Sequence, residues 1–317
     1  MSTEGIAVVF PGQGAQRPGM GKDFCEAIAV SRQVYEEASD ALGWDVSALC
    51  FGEDEKLNLT EFTQPCIVAT EIAMLRGLQD RWGFTPAFFG GHSLGEFTAL
   101  VAADVLPLDQ TVKIVQARGR LMQQAVPVGV GAMTAVISKN IDTDAVREAL
   151  GDLPIELGNI NSKNQIVISG AADSMAAAQE KLTNAVADIT NNEPFRFVTL
   201  NVSAPFHSRF MKVIEEPFKE VLLNTGKGLN PQNAGRVTSN FTGGFHHNDQ
   251  DEIIRNLVCQ LSNTVQWKAN MDMIASTADR IYEIGPNRPL RDFFKTIDVT
   301  VSSVINLSSA EKLFEKN

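Results

Sequence analysis

A serine enclosed by glycines, Gly91-His92-Ser93-Leu94-Gly95-Glu96, constrains this chain more than any other stretch. An apolar run, Ala87-Phe88-Phe89, leads into it, and helix-forming residues from Glu96 to Val101 lead away. G-x-S-x-G at a strand-to-helix turn is the nucleophile elbow. Only glycine leaves room on either side of so tight a bend, where the serine takes strained backbone angles. The bend lifts the serine oxygen clear of the sheet, and the following helix aims its free N–H groups at any oxyanion formed there. The spacing predicts an α/β chain with a nucleophilic serine at a strand end.

The surrounding pattern agrees with an α/β class, because strand and helix signals alternate. Residues 6–10 read as a buried strand that runs into the turn Pro11-Gly12-Gln13-Gly14. Helical periodicity follows over 32–42 and 67–82, and again over 108–125, where Asp109 is placed to cap the start. From there the rhythm changes. Strands are expected at 132–138, 155–160, 165–169 and 195–202, with helices at 143–150 and 174–186. The order β-α-β-β-α-β is a ferredoxin-like unit. It is expected as a small inserted lobe over 128–202, leaving 1–127 and 203–317 to build the large lobe together.

Composition limits the partners. The 317 residues include 38 acidic and 27 basic side chains, a net charge of −11. Nucleic acid and anionic membrane both need a basic footprint, so neither is an expected partner. No apolar run approaches the roughly 20 residues of a membrane span. Met1-Ser2-Thr3-Glu4 carries no secretory signal pattern. Cys25, Cys50, Cys66 and Cys259 show no metal or disulfide spacing and read as reduced, inert thiols, which points to the cytoplasm.

A serine needs a base to take its proton, and the chain has only four histidines. His92 is the neighbour of Ser93 on a sharp turn, where adjacent side chains diverge. His246 and His247 fall in a Gly/Asn/Asp-rich stretch that reads as a solvated turn rather than a metal site. His207, in Ser203-Ala204-Pro205-Phe206-His207-Ser208, is the best candidate. Arg118 is the second informative residue. At about 100° per residue it projects from an apolar arc edged by Val115 and Met122 on one side and Ile114 and Leu121 on the other. A guanidinium on such a face is either a structural ion pair or a fork for a substrate carboxylate. The Gln13 turn ends the first strand, where α/β sheets place ligand loops. Its N–H is a candidate second oxyanion donor beside that of Leu94, although a purely structural turn fits equally.

Taken together, these motifs resemble the malonyl-CoA:acyl carrier protein transacylase family. The matching pieces are Phe10-Pro11-Gly12-Gln13-Gly14, Thr63-Gln64-Pro65 before the second helix, the Ser93 elbow, Arg118-Gly119 with Met122-Gln123, and Asn159 through Gly170. Ala204-Pro205-Phe206-His207-Ser208, Gln260-Leu261 with Val265-Gln266-Trp267, and Glu283-Ile284-Gly285-Pro286 complete an ordered set over nearly the whole chain. The resemblance implies an α/β-hydrolase-like large lobe with an inserted ferredoxin-like small lobe. It also implies a Ser93–His207 dyad oriented by a backbone carbonyl near Gln260, and an oxyanion hole at Gln13 and Leu94. Arg118, Asn161, Phe206 and Gln260 become substrate-binding positions, with Arg118 on the malonyl carboxylate. Ala204-Pro205 replaces the commoner family wording, while Phe206 and Leu94 resemble the malonyl-selecting form. The stretch from Thr238 to Phe245 looks more like acyltransferases that serve polyketide assembly than those of fatty-acid synthesis.

The implied reaction moves a malonyl group from malonyl-CoA, a coenzyme A thioester, to the thiol of an acyl carrier protein, with no permanently bound cofactor. A hydrolase clearing acyl groups from carriers is the alternative, and a noncatalytic carrier-binding scaffold is a third. Arg209, Lys212, Lys268 and Arg288 are the expected carrier contacts.

Overall fold

The computed structural model describes residues 5–202 and 204–315. Residues 1–4, where no leader is expected, Ser203 at the expected lobe boundary, and residues 316 and 317 lie outside that description. Among the described residues the strands are β1 Ile6–Phe10, β2 Phe88–Gly91, β3 Gly131–Ile137, β4 Ile155–Ser162, β5 Gln165–Ala171, β6 Arg196–Thr199, β7 Arg280–Ile284 and β8 Val301–Val304. They form two four-stranded sheets, ordered β2-β1-β7-β8 and β4-β5-β3-β6.

The first sheet is parallel throughout. Every residue of β1 is buried, as a central parallel strand covered on both faces requires. One face packs against the long helix Thr60–Trp82 and its neighbours, the other against the helix Trp267–Thr277. The second sheet is antiparallel, and its outer face closes a separate core with Val146, Leu150, Ala178 and Leu182 from the helices Thr143–Leu150 and Met175–Asn184.

Three backbone contacts create the turn at the end of β2. His92 N donates to Phe10 O at 3.0 Å, which carries the β1–β2 pairing one step past the strand. A Cβ on Gly91 would sit 2.0 Å from the backbone of Gly95, and one on Gly95 would sit 2.2 Å from Phe10 O. The helix Gly95–Ala102 therefore starts directly against the end of β1 because neither glycine carries a side chain. A third glycine, Gly119, brings the helix Leu108–Gln124 against the start of Thr60–Trp82, where a Cβ would meet Thr60 O at 2.5 Å.

The second sheet reaches the same region through β4. Register shifts between Leu157 and Asn159 and between Ile160 and Ser162 break its pairing with β5. Such irregularities re-aim side chains and free ladder groups. Here Val265 N donates to Gly158 O at 2.8 Å and Ile160 N to Val265 O at 2.9 Å, tying β4 to the segment that follows Gln260.

Several elements differ from the sequence pattern. The helix expected over 67–82 begins at Thr60 and runs through Pro65, so Thr63-Gln64-Pro65 lies within it rather than before it. Pro65 is the sixth residue of this helix, so it removes the bond its N–H would have made to Glu61 O. Asp109 is not the cap of its helix: Pro107 holds that position, and Asp109 lies in the first turn. The helix expected over 174–186 ends at Asn184, with a separate turn of helix over Val186–Thr190. The strand expected over 195–202 shrinks to Arg196–Thr199, an edge strand paired only with β3. No helix among the described residues is long and apolar enough to cross a membrane.

Gly95→Ala is expected to destabilise the protein by about 3 kcal/mol or more, because backbone rather than a flexible side chain blocks the new methyl group. Gly43→Ala is the control: φ there is 75° and nothing lies within 4 Å, so only the left-handed backbone penalty of about 1 kcal/mol applies. Urea denaturation of both variants measures the difference.

Candidate active site

Ser93 and His207 both hold left-handed backbone angles, φ 50° and 58°, a conformation that costs a non-glycine residue on the order of 1–3 kcal/mol. Distant segments hold each one there. Ser93 N donates to Asn240 Oδ1 at 3.2 Å, and Ser93 O accepts from Gln260 Nε2 at 3.1 Å. His207 N donates to Leu261 O at 3.1 Å. The loop that carries the histidine is also clipped to β5, where Ser169 Oγ donates to Phe206 O at 2.6 Å.

These constraints bring Ser93 Oγ within 2.8 Å of His207 Nε2. On the other side of the ring, Nδ1 lies 2.7 Å from Gln260 O. A carbonyl only accepts, so Nδ1 carries the proton and Nε2 presents its lone pair to the serine hydroxyl. Burial, and then the positive charge of Arg118, lower the His207 pKa to about 3. The imidazole is neutral at physiological pH, with its Nε2 lone pair facing the serine hydroxyl.

Arg118 is 1% exposed. Its Nη1 donates to Gln64 Oε1 at 3.0 Å, and Nη2 donates to Gln260 Oε1 at 2.8 Å and to Ser93 Oγ at 3.2 Å. Its ring neighbour is Phe97, 5.4 Å from the guanidinium carbon. Among the described residues no carboxylate forms an ion pair with it; its hydrogen-bond acceptors are two amide oxygens and the serine. Burial lowers its pKa to about 10, with Glu96 acting in the opposite sense. The group stays charged at neutral pH, and that charge is available to a ligand.

These side chains line a cavity of about 550 Å³ with Gln13, Leu94, Asn161, Met133 and Phe206, a volume typical of small-molecule sites. Leu94 caps the elbow helix, so its N–H belongs to the set that has no partner inside the helix. The Gln13 side chain bonds Thr60 Oγ1 at 3.2 Å, which fixes the turn after β1 beside the elbow. Asn161 Oδ1 lies 2.7 Å from His92 Nε2. Burial lowers the His92 pKa, so this ring is also neutral and donates to Asn161.

Two expectations need correction. Gln260 does not line the cavity: its side chain is fully buried behind it, where the amide is consumed by Arg118, Ser93 O and Glu96 Oε2, the last at 2.6 Å. The turn containing His246 is not solvated at that residue. His246 points inward, with Nε2 2.8 Å from Glu96 Oε1, while its neighbour His247 faces solvent beside Glu252. Asp249 caps the helix Gln250–Cys259. Three partners of the site stand in the sequence motifs without a role read there: Gln64, Asn240 and Glu96. Glu96 is fully buried and accepts from Asn240 N, Asn240 Nδ2, Gln260 Nε2 and His246. The four cysteines are free. Cys50 and burial raise the Cys66 thiol well above its usual range, and burial raises Cys259, so neither is a thiolate nucleophile.

The chain is similar to known proteins over nearly all its length. The family model described as an acyl transferase domain matches residues 7–286. The chain is 36% identical over 307 residues to the malonyl CoA-acyl carrier protein transacylase of Bacillus subtilis, covering 94% of this chain and 92% of that one. It superposes on the malonyl CoA-acyl carrier protein transacylase of Clostridium perfringens with a TM-score of 0.90 at 36% identity, over 98% and 96% of the two chains. A type II PKS acyl-carrier protein in complex with its malonyl-transacylase is a further structural neighbour, with a TM-score of 0.86 at 33% identity over 99% and 100% of the chains.

Replacing Arg118 with methionine removes a positive charge that holds the His207 pKa down. The imidazole pKa is expected to rise in Arg118→Met relative to the parent, which histidine-selective NMR titration follows directly. An unchanged His207 titration would show that burial alone sets its basicity.

Proposed function

The chain belongs to the acyl transferase domain family, and from that premise we propose that it transfers a malonyl group from malonyl-CoA to the phosphopantetheine thiol of an acyl carrier protein. The proposed route is ping-pong, through an ester on Ser93. The supporting observation is the convergence of Ser93, a neutral His207 and a buried Arg118 whose charge meets no carboxylate.

His207 Nε2 takes the hydroxyl proton as Ser93 Oγ attacks the thioester carbonyl. The N–H groups of Leu94 and Gln13 stabilise the oxyanion, each donor lowering the barrier by about 3 kcal/mol. As the tetrahedral intermediate collapses, the C–S bond breaks and His207 returns the proton to the departing coenzyme A thiolate. Malonate remains esterified to Ser93, with its free carboxylate on Arg118. In the second half the pantetheine thiol gives its proton to His207 and attacks the ester carbonyl, and Ser93 leaves with the proton. Coenzyme A and carrier are substrates here; no resident cofactor takes part.

Arg118 serves selection more than bond-making. A carboxylate on the α-carbon meets a cation, whereas an acetyl group leaves that cation unpaired in a buried site. Phe206 crowds the α-carbon and favours malonyl over a substituted homologue. Asn161, oriented by His92, offers an amide to the acyl or pantetheine chain.

We read the architecture as two lobes, an α/β-hydrolase-like one over 1–127 with 203–317 and an inserted ferredoxin-like one over 128–202. The strand order β4-β5-β3-β6, with its two helices on one face, supports the second assignment. The carrier contacts narrow as well. Arg209 pairs with Glu156 and Lys268 with Asp272, while Lys212 and Arg288 are exposed and make no ion pair among the described residues. These two are the better docking cations for an acidic carrier. The setting is cytoplasmic.

Intact-mass measurement after exposure to malonyl-CoA is expected to show a malonyl adduct on the parent and none on Ser93→Ala, and holo carrier protein discharges that adduct. Rapid release of free malonate with no carrier labelling would instead identify a hydrolase. Arg118→Met is expected to lower the malonyl-to-acetyl preference of Ser93 acylation by about 10- to 100-fold, the value of hydrogen bonds to a charged group.

A further inference from the structure

Gln260 bonds the segments that carry the nucleophile, the base and the cation. Its backbone carbonyl accepts from His207 Nδ1, its Oε1 accepts from Arg118 Nη2, and its Nε2 donates to Ser93 O and to Glu96 Oε2. An amide side chain can turn over and exchange oxygen for nitrogen. Here only one orientation is chemically allowed, because a guanidinium only donates and a carboxylate only accepts. Glu96 dictates which end of the amide faces Arg118.

The carboxylate is itself held rigidly. Both of its oxygens are engaged: Oε2 by Asn240 N at 2.9 Å, Asn240 Nδ2 at 2.6 Å and Gln260 Nε2 at 2.6 Å, and Oε1 by His246 Nε2 at 2.8 Å. Glu96 and His246 are fully buried side chains. The carboxylate is saturated with donors, and none of them is Arg118. Asn240 carries the same anchor back to the elbow through Gly91 O at 2.7 Å and Ser93 N at 3.2 Å.

We propose that Glu96, seated by His246 and Asn240, is a positioning residue that acts through Gln260 to hold Arg118 at the acyl carboxylate and so sets acyl-group selectivity. The amide between the two charges is essential to the arrangement. Direct contact with Glu96 would neutralise Arg118 and leave nothing for a substrate carboxylate. Separated by one side chain, Glu96 supports the buried cation electrostatically and fixes its direction while leaving its charge facing the cleft. The orientation of the base does not depend on this relay, because His207 Nδ1 is held by the backbone carbonyl of Gln260 rather than by its side chain.

The inference rests on the reading of Arg118 as the malonyl anchor, and the two can fail separately. Acylation of Ser93 by malonyl-CoA and by acetyl-CoA is measured by rapid-quench mass spectrometry in the parent, Glu96→Gln, Gln260→Met and the double variant, with melting temperatures alongside. A glutamine at 96 offers either end of its amide, so Gln260 is no longer forced. Glu96→Gln is expected to raise the KM for malonyl-CoA about tenfold, as loss of a hydrogen bond to a charged group would, while acetyl acylation falls less. The double variant is expected to be no less selective than Gln260→Met alone, because both changes act on one path. An unchanged malonyl-to-acetyl ratio in folded Glu96→Gln, or losses of selectivity that add in the double variant, would overturn the proposal. Should Glu96→Gln not fold, an unchanged ratio in Gln260→Met does the same. If the parent shows no preference for malonyl over acetyl, the reading of Arg118 is what fails.

Discussion

Backbone contact between the ends of two strands and the start of one helix sets everything else in the site. Gly91, Gly95 and Phe10 meet with no side chain between them, and a turn that tight leaves Ser93 no relaxed conformation. The strain is local, but what holds it is not. Asn240 and Gln260, from segments well over a hundred residues downstream, bind the backbone N–H and carbonyl of Ser93, the carbonyl also accepting from Glu96 N in the first turn of the helix. His207 repeats the pattern, with a left-handed backbone secured by Leu261. Nucleophile and base are therefore both fixed to the pair Gln260-Leu261, which explains how two strained loops from different parts of the chain keep a 2.8 Å contact.

Charge is arranged with the same economy. One chain of hydrogen bonds joins the Glu96 carboxylate, the Gln260 amide, the Arg118 guanidinium, the Ser93 hydroxyl and the His207 ring. Each neighbouring pair is a donor facing an acceptor, and no two opposite charges touch. A direct buried ion pair would be electrostatically self-satisfied. The interposed amide keeps the cation unsatisfied, which is the property a carboxylate-binding site requires.

The sequence displayed the local half of this design. The elbow was legible because its glycines and serine are adjacent, and Arg118 stood out because a cation interrupts an apolar helical arc. His207 emerged by elimination among four histidines. The other half was hidden for a physical reason. His246 meets Glu96 across a separation of 150 residues, and nothing within the Gly-rich turn around His246 signals that the ring points inward. Gln64 and Gln260 are uncharged and fit any helix, so their orientation becomes visible only when Arg118 is seen to need acceptors. The second helix differs in the opposite direction: its periodicity is legible only from 67, whereas it starts at Thr60 and carries Pro65 inside it. Similarly, the strand ending at residue 202 was overextended because an edge strand loses its ladder before it loses its apolar pattern.

The apposition of Arg118 and His207 gives the free site a restrained state. Arg118 Nη2 donates to Ser93 Oγ, occupying a lone pair that the nucleophile needs, and the same charge lowers the His207 pKa. Both effects oppose attack, and both come from one unpaired cation. On the proposed malonyl reading, a carboxylate entering the cleft would compete for that guanidinium, free Ser93 Oγ and offset the charge that lowers the His207 pKa, whereas an acetyl group would supply no counter-charge. On that reading selectivity would come from activation as well as from binding, because the group proposed to recognise the acyl chain also contacts the dyad.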